Sequence, residues 1–276
     1  MKLDTSLVAR AVPPGSMRYY AWLFTPEAQR DVMAALFLIE TELHDTARTP
    51  HEVAHLRLQW WREEIDRLIS GKAQHPATLV LQAAAQPCVD FKLLHDVVHS
   101  AAQELANATY ETDTELRQYL HCGQGSLMQL GSQYLCKTPT GTLLDAATQL
   151  GGFIRQVEIL RDLRQDLHHG RLYLPLAALD ALNIEYETIQ TGDWPDGFVE
   201  MLKSVCTQHL AGYATLKQSL LSSEKKTLRP LLVLSELHAQ VLQTISTDPV
   251  TYTRQRVELG AIRKLWIAWR AARTAS

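Results

Sequence analysis

An all-α bundle of helices around a cavity is the fold class this sequence predicts, and three observations carry it. Apolar residues recur at three- and four-residue spacing nearly throughout the chain. Strand-like alternation is absent, and Gly or Pro falls mainly between the periodic segments. The connections are short, so many helices must pack together, leaving room for a site between them.

The elements follow in order. Thr25-Pro26-Glu27 reads as a helix start, with Thr25 as N-cap and Pro26 at the first position. That helix continues through Val32, Ala35, Leu36, Ile39 and Leu43 to about Arg48, where Thr49-Pro50 stops it. A second helix spans His51 to Ser70 and ends at Gly71, a residue suited to a left-handed cap. Further helices are expected over 76–86, 90–108, 112–136, 141–168, 196–221, 227–246 and 255–273, with a loop-rich connection at Thr191 to Gly197. No repeat, low-complexity tract or linker interrupts the pattern, so residues 1–276 read as one domain.

Hydrophobic content of 46% and charged content of 21% describe an ordinary globular chain, and a net charge of −3 gives no electrostatic reason to expect nucleic acid. The four cysteines, Cys88, Cys122, Cys136 and Cys206, form no CxxC pair, so reduced intracellular thiols and no structural zinc are expected. Met1-Lys2-Leu3-Asp4 lacks a signal-peptide core, which points to a cytoplasmic protein. No apolar stretch approaches the ~20 residues that span a bilayer, so any contact with the inner membrane is expected to be peripheral.

The chemistry concentrates in Arg155-Gln156-Val157-Glu158-Ile159-Leu160-Arg161-Asp162-Leu163-Arg164-Gln165-Asp166. At about 3.6 residues per turn, Glu158, Asp162 and Asp166 share one helical stripe. Three carboxylates so placed repel unless cations lie between them. One reading is a solvated face paired with Arg155, Arg161 and Arg164; the other is a Mg²⁺ and phosphate site. Downstream, His168-His169-Gly170-Arg171-Leu172-Tyr173-Leu174-Pro175 ends the helix.

These segments together resemble the squalene/phytoene synthase family, which joins two prenyl diphosphates head to head. The run Asp162 to Asp166, followed by Arg171, Tyr173, Leu174 and Pro175, is similar to the family's second aspartate motif with its RxYLP tail. Trp60-Trp61-Arg62-Glu63-Glu64-Ile65-Asp66, Gly71 and His75-Pro76 match the region after the first motif. Tyr119 and Gly125 match its YxxxxxG helix, and Ser16-Met17-Arg18-Tyr19-Tyr20 with Arg30 its N-terminal portion. The resemblance implies an isoprenoid-synthase-type bundle with a central cavity and two acidic walls holding Mg²⁺ against diphosphate oxygens. It further implies Asp162, Asp166 and Glu158 as metal ligands. Arg48, Arg161 and Arg171 would contact diphosphate, and Tyr173 would shape the cavity mouth. Asp162, Asp166 and Tyr173 form the catalytic set.

The first motif departs from the family. His44-Asp45-Thr46-Ala47-Arg48 stands where a DDxxD pattern is expected, and only the middle aspartate, Asp45, remains. Arginine cannot ligate Mg²⁺, and imidazole is a poor match for it. The chain also resembles a branch that includes a respiratory complex I assembly factor, in Leu56-Arg57-Leu58-Gln59-Trp60-Trp61 and Leu265-Trp266-Ile267-Ala268-Trp269-Arg270. Two functions are therefore implied. One is prenyl diphosphate transfer with Mg²⁺, His44 and Asp45 lying near the substrate. The other is a non-catalytic prenyl-lipid-binding or respiratory-complex assembly role.

Other residues read structurally. Trp60 and Trp61 are expected in the core. The histidines at 168 and 169 suit a helix C-terminus. Gly123 and Gly125 read as points of close helix approach, not as a phosphate loop. Ile262, Leu265, Trp266 and Trp269 form an apolar stripe on a basic last helix, expected to dock on the bundle or else to lie on an anionic membrane.

Overall fold

The computed structural model describes the chain except positions 47, 48, 107, 193, 250, 251, 253, 254 and 276. Arg48 therefore lies outside the described residues. Among those described, every regular element is helical, as the spacing predicts.

Two short N-terminal helices, α1 (Thr5–Ala11) and α2 (Met17–Leu23), precede α3 (Arg30–Thr46). Ser16 caps α2 by accepting the Tyr19 amide. The expected start at Thr25 is corrected. Its hydroxyl bonds back to the Ala21 carbonyl, and a 3₁₀ turn, Glu27–Gln29, leads into α3. Then come α4 (His51–Ile69), α5 (Pro76–Ala83) and α6 (Leu93–Leu105). Gly71, with φ +73°, turns the chain out of α4 as expected. Trp61 is buried, but Trp60 is 40% exposed, because adjacent helical positions point about 100° apart.

The expected helix over 112–136 is broken. A π turn, His121–Gly125, separates α7 (Asp113–Leu120) from α8 (Ser126–Leu135). Glycine accounts for its position. A Cβ at Gly123 would press on the Ser100 hydroxyl, and one at Gly151 would collide with the Gln124 carbonyl. The turn thus packs directly on α9 (Gly141–His168).

At 28 residues, α9 is about 42 Å long. It packs against α8, the π turn and α14 (Arg229–Thr247). Its C-terminus closes through Gly170, at φ +76°, with the Arg171 amide bonded to the Asp166 carbonyl at 2.8 Å. Short helices α10 (Leu176–Asp180) and α11 (Tyr186–Gln190) lead to α12 (Asp196–Ser219) and α13 (Ser222–Thr227). The last helix, α15 (Ala261–Thr274), packs on α14 and α2. It docks through Ile267, Ala268, Ala271 and Ala272. The stripe of Ile262, Leu265, Trp266 and Trp269 faces outward, 47–87% exposed.

Candidate active-site cavity

A cavity of about 610 Å³ opens between α3, α6, α9 and α14. That volume falls within the ~300–1,000 Å³ of small-molecule sites. Its walls divide by polarity. Ala11, Met17, Leu43, Val97, Ala101, Val241, Val257 and Leu259 are apolar, whereas Arg18, Glu40, His44, Glu104, Arg155, Glu158, Arg161, Asp162, His238, Arg256 and Lys264 are polar.

The polar side is a linked network. His44 on α3 meets Glu104 on α6 at 3.1 Å. The other oxygen of Glu104 accepts from the Tyr119 hydroxyl at 2.6 Å and from Arg155 Nη2 at 2.8 Å. Arg155 reaches Glu158 at 3.4 Å, and His238 on α14 lies 3.7 Å from the far oxygen of Glu158. Beneath the guanidinium lie the rings of Tyr119 and Tyr173, 5.9 and 5.6 Å from its carbon. Burial opposes ionisation of Glu104, but Arg155 and His44 override it and hold the carboxyl far below its usual range. Burial acts on Glu158 in the same sense, and His238 and Arg155 likewise outweigh it.

Asp162 is held twice. Arg161 grips it at 3.0 and 2.6 Å, and Arg256, from the segment before α15, at 2.5 and 3.3 Å. These bonds overcome the upward push of burial and keep its pKa low. Asp166 behaves oppositely. One turn further along α9, it is outside the cavity lining, and burial with the nearby Asp162 charge raises its pKa. Burial dominates at Glu40 too and raises its pKa against the pull of Arg18, 2.6 Å away. The second oxygen of Glu40 is buried without a hydrogen-bond partner.

The sequence-predicted residues thus separate. His44, Glu158, Arg161 and Asp162 reach the cavity. Asp45 does not: one position on from His44, it turns outward and pairs with Arg10 at 3.1 Å. Tyr173 is buried behind the wall, stacked on Tyr119 at 5.9 Å, and does not shape the mouth. Arg171 is also outside the lining, where its charge acts on Asp166. Glu40, one turn before His44 on α3, also lines the cavity, although no motif marked it. Arg256 and His238 come from α14 and the segment beyond it, where no motif marked them.

A family model for squalene/phytoene synthase matches residues 13–263. The chain belongs to the squalene/phytoene synthase family. It is 25% identical over 256 residues to the phytoene synthase of Mycobacterium bovis, covering 91% of this chain and 84% of that protein. The fold superposes on a dehydrosqualene synthase crystallised with ligand at a TM-score of 0.83 and 15% identity, covering 98% of this chain and 95% of that one. Squalene synthase HpnC from Alicyclobacillus acidocaldarius gives a TM-score of 0.72 at 16% identity, covering 89% and 94% of the two chains. These solved structures place the family's all-α isoprenoid-synthase fold on this chain.

Proposed function

We propose that the chain binds a prenyl diphosphate in this cavity and transfers its prenyl group in a head-to-head condensation of the squalene/phytoene type. The observation that carries the reading is the division of the cavity wall. An isoprenoid tail gains by burying against Leu43, Val97, Ala101 and Val241, while a diphosphate finds guanidinium forks at Arg161 and Arg256. Charge developing on a departing diphosphate would be stabilised by those forks, already fixed by Asp162.

Magnesium does not fit the donor set as arranged. Among the described residues, no three His, Cys, Asp or Glu side chains are grouped to hold a metal ion. Glu158 and Asp162 are neutralised by arginines, and Asp166 lies off the cavity. Glu40 is already paired through one oxygen with Arg18 at 2.6 Å, which leaves a single unpartnered oxygen on that wall.

A second reading, a non-catalytic prenyl-lipid holder or assembly protein, draws on one feature. Among the described residues lining the cavity there is no Phe, Tyr or Trp ring to face a carbocation. Incubation with farnesyl and geranylgeranyl diphosphate, with and without Mg²⁺, separates the two. Transfer predicts diphosphate release and a condensed hydrocarbon product. Tight binding with no release across both chain lengths rejects transfer and leaves the holder.

We also propose peripheral contact between α15 and an anionic membrane. Its outward face carries Trp266 and Trp269, each covered by an arginine, Arg270 at 4.7 Å and Arg273 at 4.8 Å. No helix among the described residues is long and apolar enough to cross a membrane.

A further inference from the structure

We infer that the polar end of the cavity takes a diphosphate directly, with Arg155 as a built-in cation in place of a divalent ion. The inference rests on the prenyl-diphosphate reading above and deepens it.

Charge placement is the argument. A cation that braces the wall formed by α6 against α9 must sit between their carboxylates. Arg155 is there, 2.8 Å from Glu104 and 3.4 Å from Glu158, its side chain only 15% exposed. A guanidinium does not lose its proton in a protein, so this charge stays at every working pH. The aromatic floor of Tyr119 and Tyr173 favours the same cation. A divalent ion placed beside it would face like charge across a few ångströms of poorly screened interior. At the next turn the carboxylate of Asp162 is already shared by Arg161 and Arg256.

The sum over the wall points the same way. Among the described residues, six arginine and lysine side chains line the cavity against five carboxylates. Each lining carboxylate thus has a cationic side chain to match it before any metal enters. Planar guanidinium forks match phosphate oxygens two at a time. Arg161 and Arg256 converge on one carboxylate, so a diphosphate oxygen can take the place of a carboxylate oxygen with both forks still engaged. Asp162 then acts as the counter-ion that keeps the forks aimed while no ligand is bound.

This account and metal ligation by Asp162 predict opposite results for one substitution. Farnesyl thiodiphosphate, which resists ionisation, is titrated calorimetrically into wild type and Asp162→Asn, in EDTA and in excess MgCl₂. Wild type is expected to bind in EDTA within about threefold of its affinity in MgCl₂. Asp162→Asn is expected to bind as tightly as wild type or more tightly in EDTA, because two forks lose their competitor. A gain of about tenfold or more on adding Mg²⁺, or a loss of that size in folded Asp162→Asn in EDTA, overturns the inference and leaves the prenyl-diphosphate reading standing. If Asp162→Asn does not fold, Arg256→Gln replaces it; weakening of about tenfold in EDTA is expected, and unchanged affinity overturns the inference. Absence of binding by wild type in both buffers removes the prenyl-diphosphate reading itself.

Discussion

Glu64 shows how much one buried carboxylate can organise. Fully buried on α4, it accepts the amides of Gln74 and His75 at 2.8 Å each, the Thr78 hydroxyl, and Arg67 Nε at 2.8 Å. Every group around it donates, so Glu64→Gln would turn an amide NH₂ toward a donor. The variant is expected to lose roughly 2–3 kcal/mol in urea unfolding at neutral pH. Burial raises the Glu64 pKa, but the His75, Thr78 and Gln74 bonds more than reverse this and leave it lowered. Its stabilisation is therefore complete above the unfolded value of about 4.3 and fades as pH falls below it, so the gap between variant and wild type should narrow in acid. A gap that widens in acid contradicts this account. Single residues also mark where sequence reasoning stopped. The acidic stripe was legible, but which of its members reach a cavity was not. Asp166 and Asp162 share a face, and only the position of the cavity along α9 separates them. Glu40 stands four residues before His44, a spacing visible in the sequence that became meaningful once His44 was seen to face inward.

Elements were the most legible level, and their misreadings have local causes. The long helix over 112–136 carries a helical pattern throughout, yet close packing of Gly123 and Gly151 admits the π turn that brings Gln124 onto the cavity wall. At α15 the pattern located the apolar stripe correctly but not its direction. Small residues, Ala268, Ala271 and Ala272, let the helix lie close to the bundle, so the tryptophans were left outside. From that orientation, co-flotation with vesicles containing phosphatidylglycerol is expected for wild type. Trp266→Ala/Trp269→Ala should cut the bound fraction severalfold without changing the unfolding midpoint, since neither ring is in the core. Equal flotation of the double variant would show that α15 is not the contact.

Across the whole molecule, the cavity is a product of distant segments. Arg18 from α2, His44 from α3, Glu104 from α6, Arg155 and Asp162 from α9, His238 from α14 and Arg256 meet only in the folded chain. The Arg18–Glu40 and Arg256–Asp162 pairs span 22 and 94 residues of sequence, which is why no motif announced the second of them. The same assembly offers a reason for the departure of the first motif at His44. If arginines supply the positive charge inside, as inferred above, an acidic first wall is not needed to complete the site. A crystal structure with farnesyl thiodiphosphate bound tests this most directly. Density for the diphosphate is predicted within hydrogen-bonding distance of Arg161 and Arg256, with the isoprenoid tail along Val97, Ala101 and Val241. A ligand bound elsewhere, or a cavity filled by solvent at saturating ligand, would contradict the account.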